Sequence, residues 1–257
     1  NDDYTTMETV VRILRTAFAF ESWRAYQTML AVHRQGSACI GVYERDEAIR
    51  LAGAATAMAD KLIDDGHSAE ALQMDVGRPE SVAEGFSKIS EKHGRCDVLV
   101  NCAGIAKVFP FLDFPLDNFI ATMNVNVTGT FLCSQHAARL MTKNRWGRIV
   151  NIASVAGMRA VGKGRTAYGT SKGAVIALTR QMAVELADYG ITANAVAPGP
   201  VDTPMTQVLH TDKFRAEYAS AIPMKRYGTT SEIASAVSFL VSAGASFVSG
   251  IVLPVDG

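Results

Sequence analysis

Tyr168 and Lys172 stand four residues apart in Thr166-Ala167-Tyr168-Gly169-Thr170-Ser171-Lys172-Gly173-Ala174. On an α-helix that spacing puts both side chains on one face, a single turn apart. A phenol alone has a pKa of roughly 10 and carries protons poorly at neutral pH. A unit positive charge about one turn away is worth about 3–4 kcal/mol at an effective dielectric near 20. That is enough to draw a phenol from roughly 10 toward neutrality. Lys172 is therefore expected to lower the Tyr168 pKa and make it a general acid/base. The spacing alone is common on ordinary helices, so its meaning depends on the elements around it.

Those elements alternate from Gly36 onward. Short apolar runs at Cys39–Glu44, Leu72–Val76, Val98–Asn101, Arg148–Ala153, Ile191–Ala197 and Ile251–Val255 read as strands. Helical periods fill Asp46–Asp65, Pro79 to Gly94, Pro115 to about Asn144, Thr166 to about Asp188, and a segment from the capping box Thr229-Thr230-Ser231-Glu232 to about Gly244. Apolar strands separated by helices predict a single α/β domain over residues 1–257, a doubly wound parallel sheet covered on both faces. Ligands of such sheets bind outside the carboxyl ends of the strands. Glu44, Asp75, Asn101 to Gly104, Ser154, and Pro198 to Thr203 all fall at those ends.

Composition excludes several classes. The 25 basic residues balance 25 acidic ones, and no basic run suggests a nucleic-acid partner. No apolar run has the length of a membrane span. Cys39, Cys96, Cys102 and Cys133 are scattered without a C-x-x-C, and the five histidines are dispersed, so buried free thiols are expected and a metal site is not. With no signal-peptide order at the N-terminus, the expected location is cytoplasmic.

Several spaced motifs together carry a resemblance. They are Asp75-Val76, Asn101-Cys102-Ala103-Gly104, Asn124-Val125-Asn126-Val127, Ser154 with Tyr168 and Lys172, Pro198-Gly199-Pro200-Val201-Asp202-Thr203, and Val255-Asp256-Gly257. Over residues 36–257 the chain resembles the short-chain dehydrogenase/reductase family, near its 3-oxoacyl-carrier reductase and sugar-polyol dehydrogenase members. The resemblance implies a Rossmann-type domain of about seven strands and reversible hydride transfer between a nicotinamide cofactor and a carbonyl or secondary alcohol. It implies Tyr168 as general acid/base, Lys172 lowering its pKa and bonding the nicotinamide ribose, Ser154 holding the substrate oxygen, and Asn126 holding a water that links the lysine to solvent. It also implies cofactor contacts at Asp75 and Val76 (adenine), at Asn101, Ala103 and Gly104 (sheet and adenosine ribose), and at Pro198, Gly199, Val201 and Thr203 (nicotinamide side). Glu44, closing the second strand, would accept from the ribose 2′-hydroxyl and repel a 2′-phosphate, which favours NAD over NADP. Residues 204–223 resemble the family's substrate lid, with Met205, Val208, Leu209, Phe214 and Tyr218 as apolar candidates and Met158, Arg159 and Val161 on the opposite wall. Family members pair the helices opening at Pro115 and Thr166 into homotetramers.

The chain departs from the family at two places. The first strand of the family runs into T-G-x-x-x-G-x-G, but no glycine precedes Gly36, and Phe20, Glu21 and Trp23 are bulky or acidic where a pyrophosphate needs room. Three readings stand. One is a reading-frame slip, since GAA-TCN for Glu21-Ser22, read one base earlier after a G, encodes Gly-Ile. Another is a divergent cofactor loop. The third is a non-catalytic binding or structural subunit that keeps the fold. Secondly, the interval from Ser154 to Tyr168 is one residue longer than usual, with the extra residue in Arg159–Arg165. A hydrolase built on Ser154 is disfavoured, because a G-x-S-x-G elbow needs glycine where Ile152 and Ala156 stand and no motif places a histidine or acid to complete a triad.

Overall fold

The computed structural model describes residues 38–40, 59–60, 63–64, 69–203, 206 and 212–257. Among the described residues, five strands form one sheet in the order β1-β2-β3-β4-β5, with every pair parallel. They are β1 (Ala38–Ile40), β2 (Val98–Asn101), β3 (Gly147–Ile152), β4 (Ile191–Pro198) and β5 (Val252–Val255). Between them run α1 (Pro79–His93), α2 (Leu116–Met123), α3 (Thr130–Met141), α4 (Thr166–Glu185), α5 (Asp212–Ala221) and α6 (Thr230–Val241).

Helices cover both faces. On one, Val82 and Phe86 of α1, Ala137 and Met141 of α3, and Met182 of α4 pack on Leu99 and Ile149. On the other, Leu240 and Val241 of α6 pack on Val98, Val150 and Val196. Residues at successive positions of a strand point to opposite faces, so an apolar strand residue on either face finds a helix. This is the α/β Rossmann-type architecture that the alternating pattern predicts. The strand-order reversal of a doubly wound sheet, the seventh strand and most of the Asp46–Asp65 helix lie outside the described residues.

One expected strand is absent. Leu72–Val76 buries Met74 and Val76 but joins no ladder. Its polar groups bond locally instead: the Asp75 N–H donates to Ser81 Oγ at 2.9 Å, and the Asp75 carbonyl accepts from Arg78 N–H at 3.1 Å. Ala38–Ile40, at the start of its expected neighbour, pairs with β2.

The long Pro115 segment is one helical rod with a π-helical turn at Asn124–Gly129 between α2 and α3. Such turns are often found at functional sites. A buried polar chain ties the sheet to its helices. Asn101 Nδ2 donates to Ser134 Oγ at 2.9 Å and to Asn151 Oδ1 at 2.8 Å, and Asn151 Nδ2 donates to Thr179 Oγ1 at 2.8 Å. This fixes β2 and β3 against α3 and α4 and holds the carboxyl ends of the strands in place.

Candidate active site

Four predicted residues meet beyond the carboxyl ends of β2 and β3. Ser154 follows β3 in extended conformation, and its Oγ accepts from Ala156 N–H at 3.1 Å. It also acts on the Tyr168 phenol, whose pKa it lowers. Tyr168 and Lys172 lie in the first turns of α4, as expected. Lys172 is 4% exposed. Its Nζ lies 5.8 Å from the Tyr168 ring centroid and donates to the Ile152 carbonyl at 2.6 Å.

Asn126 is fully buried in the π-turn. Its Oδ1 accepts from Ile105 N–H at 2.8 Å, and its Nδ2 donates to the Ile105 carbonyl at 3.0 Å and to Ser171 Oγ at 2.9 Å. The side chain thus clamps the loop that follows β2. Gly104 sits between the two buried groups: a Cβ there would stand 3.3 Å from Asn126 Oδ1 and 3.4 Å from Lys172 Nζ. The glycine keeps this backbone open, where a side chain would press on Asn126 and touch Lys172.

The electrostatics correct one expectation. Burial pushes the Tyr168 phenol above its ordinary value, opposed by the Ser154 hydrogen bond and then by the Arg165 charge. Lys172 does not oppose that rise, because burial leaves it uncharged at the pH where the phenol ionises. Burial pushes Lys172 down to about 8. Arg165, the residue before α4, is the cation that acts on the phenol. Sequence reasoning missed that role, although Arg165 lies in the interval that carries the extra residue. It also missed Ser171, whose hydroxyl accepts from Asn126 and donates to the Tyr168 carbonyl at 2.7 Å.

The remaining predicted residues divide into groups. Asn101 is spent on the sheet network described above. Asp75 Oδ1 accepts from Gly77 N–H at 2.9 Å, closing the turn before α1, and Val76 is buried beneath Gly129. Ala103 packs against the core beside Gly104. Pro198 ends β4, and Gly199 lies so close to Asp256 that a Cβ would stand 2.8 Å from the Asp256 Cβ. Val201 bridges Gly228, and the Thr203 N–H bonds Thr206 Oγ1 at 3.0 Å. Glu44, Met205, Val208, Leu209 and residues 1–37, including the glycine-free segment, lie outside the described residues.

A cavity of about 820 Å³ opens between the loops after β2 and β3, lined among others by Val108, Phe109, Val161, Lys163, Arg165 and Gly169. Arg159 pairs with Asp256 at 3.3 Å, and part of the lid that Met158 and Arg159 were expected to face lies outside the described residues. Phe214 and Tyr218 of α5 stack at 5.4 Å.

The profile of a family described as enoyl-(acyl carrier protein) reductase matches residues 25–257. The chain belongs to the short-chain dehydrogenase/reductase family. Members of this family are oxidoreductases, and two relatives are named as reductases. A 3-oxoacyl-[acyl-carrier-protein] reductase, MabA, of Mycobacterium avium is 41% identical over 72% of this chain and 72% of its own. The corresponding FabG of Aquifex aeolicus is 40% identical over 75% of this chain and 77% of its own. Among solved structures, a provisionally named gluconate dehydrogenase of Agrobacterium tumefaciens superposes with TM-score 0.75 at 32% identity, covering 79% of this chain and 80% of that one.

Proposed function

We propose that the protein is a nicotinamide-dependent reductase of a carbonyl substrate, with Tyr168 as the proton donor. The observation that carries this reading is the Tyr168 phenol set beside Ser154 and a buried Lys172, at the carboxyl edge of a parallel sheet. A phenol raised by burial is protonated at neutral pH, which suits donation to an oxygen that gains charge. Ser154 Oγ is in reach of that oxygen whenever the Tyr168 hydroxyl is, and stabilises its developing charge. Lys172, at about 8, exchanges protons near neutrality, and Asn126 keeps the Ile105 backbone from closing over it. A bound nicotinamide dinucleotide supplies the hydride.

The site fits such a group, because Gly104 leaves the backbone open beside Lys172 and Asn126. Val201 and Thr203 are the residues that would hold its carboxamide side. The choice of NAD over NADP rests on Glu44 in the sequence. Two relatives are named 3-oxoacyl-[acyl-carrier-protein] reductases, and an apolar cavity with Lys163 and Arg165 on its wall suits an acyl chain ending in an anionic carrier, or a sugar acid.

The test is a titration of the intact protein with NADH and NADPH, read by nicotinamide fluorescence, with intact mass measured on the same sample. Saturable binding, tighter for NADH, is expected. Absence of binding at the mass of this sequence would favour the non-catalytic subunit, because the glycine-free segment would then be genuine and disabling. With a reducible substrate in hand, Tyr168→Phe is expected to cost about 10²–10⁴-fold in kcat with unchanged circular dichroism. Retained turnover would remove Tyr168 from its role.

A further inference from the structure

Among the described residues, three buried side-chain polar atoms have no hydrogen-bond partner: Arg148 Nε, Thr192 Oγ1 and Arg215 Nη1. The first two are neighbours. Arg148 on β3 and Thr192 on β4 are register partners. Such partners project from the same face of the sheet, on strands about 4.8 Å apart. The face is the one under α6, because Val150 and Val196 further along the same strands pack with Leu240 and Val241. The exposures of Arg148 and Thr192 are 4% and 8%.

The Arg148 guanidinium has little else to hold it. One N–H donates to the Gly147 carbonyl at 2.9 Å, and one face lies over Trp146 at 4.4 Å from the ring centroid. Its register neighbour on the other side is Val98. The Asp97 carboxylate, next in sequence to Val98, makes a two-pronged pair with Arg95 at 2.7 and 2.8 Å. The carbonyl end of α6 runs back toward this edge and offers partial negative charge, yet no carbonyl meets Nε. Burial of a cation without a counter-charge is strongly unfavourable. Nε–H can only donate, and the threonine hydroxyl donates as readily as it accepts. A single group that accepts from both and carries negative charge would satisfy both orphans and balance the guanidinium.

We propose that Arg148 Nε and Thr192 Oγ1 bind one small monovalent anion of chloride size at the amino-terminal ends of β3 and β4. The site lies at the opposite edge of the sheet from Tyr168, so its occupancy acts on folding stability and not on the chemistry. A bridging water is the competing occupant; it satisfies the two orphans but leaves the charge.

Trp146 reports on this site directly. The chain has two tryptophans, so Trp23→Phe leaves Trp146 as the emitting indole. In chloride-free isethionate buffer at constant ionic strength, iodide is expected to quench Trp146 saturably, with chloride restoring the emission. The melting temperature of the same protein should rise with chloride and level off. Thr192→Val, which keeps the side-chain shape, should shift the iodide midpoint at least fivefold upward and flatten the chloride response. Arg148→Met should abolish both, and if it fails to fold, the Thr192→Val comparison still decides. Linear quenching that chloride does not relieve, or a melting temperature indifferent to chloride, would overturn the anion and leave a water in its place.

Discussion

At the scale of single residues, the most informative is Lys172. Burial brings it to about 8, well below the ordinary lysine value of about 10.4. At ~1.4 kcal/mol per pH unit, the buried ammonium is disfavoured by about 3 kcal/mol. Below pH 8 the folded and unfolded chains both hold the proton, so that penalty is constant. Between about pH 8 and 10.4 the unfolded chain holds a proton that the folded one has shed, and stability rises with pH. Lys172→Met is therefore expected to stabilise the cofactor-free protein at pH 7 by about 1–2 kcal/mol, after loss of the bond to Ile152. It should also flatten the rise above pH 8 and abolish turnover. Urea denaturation at pH 7 and 9.5 checks both halves. A destabilised variant at pH 7 would show that the bond to Ile152 outweighs burial. The Tyr-Lys pair was legible from its spacing, but the direction of the tyrosine shift was not. Spacing fixes which side chains are near each other. It does not say that Nζ turns to a strand carbonyl, or that Arg165 arrives from the preceding loop.

At the scale of elements, the site depends on how closely the turn after β3 rests on α4. A Cβ on Gly157 would stand 2.5 Å from the Lys172 carbonyl carbon and 2.7 Å from Gly173 N. These are backbone atoms of α4, so nothing nearby can yield. Gly157→Ala is expected to push the turn outward and separate Ser154 from Tyr168. Turnover should fall by about 10²-fold or more, from a misplacement on the order of 1 Å. A kcat within a factor of two of the parent would show that the turn tolerates the shift. At α6, Thr229 Oγ1 accepts from Glu232 N–H while the Glu232 carboxylate accepts from Thr229 N–H, and Arg226 holds that carboxylate at 2.6 Å. The Arg226 and Thr229 bonds hold Glu232 down to about 2. Thr229→Ala should cost about 1 kcal/mol of stability without touching kcat. The capping box was readable because its four residues bond within themselves. The unpaired Leu72–Val76 segment was not, since joining a ladder depends on which strand comes to lie beside it.

At the scale of the whole molecule, apolar side chains remain on the surface along the helices expected to pair in an oligomer. Leu116 is 69% exposed, Ile120 54%, Phe131 44% and Val184 75%. Burial against another copy along α2, α3 and α4 suits a face of this kind. Sedimentation is expected to give an oligomer, and Ile120→Glu with Val184→Glu should shift it toward the monomer. A parent that sediments as a monomer at micromolar concentration would remove the homotetramer expectation. Among the described residues, no helix is long and apolar enough to cross a membrane.

The sequence by itself determined the alternation of strands and helices, because hydrophobic period and cap chemistry are local properties of the chain. It determined the family too, through motifs whose spacing survives where the glycine-rich segment does not. It also placed Ser154 at the carboxyl edge, since parallel strands put every β-to-α turn on one side, and the family motifs set Tyr168, Lys172 and Asn126 with it. The tertiary structure decided what those groups experience. Burial of Lys172, the clamp of Asn126 on Ile105, the charge of Arg165 at the phenol and the two orphaned donors beneath α6 all arise between segments far apart in sequence. Desolvation and hydrogen-bond partnership depend on what packs against a side chain, and no local pattern encodes that.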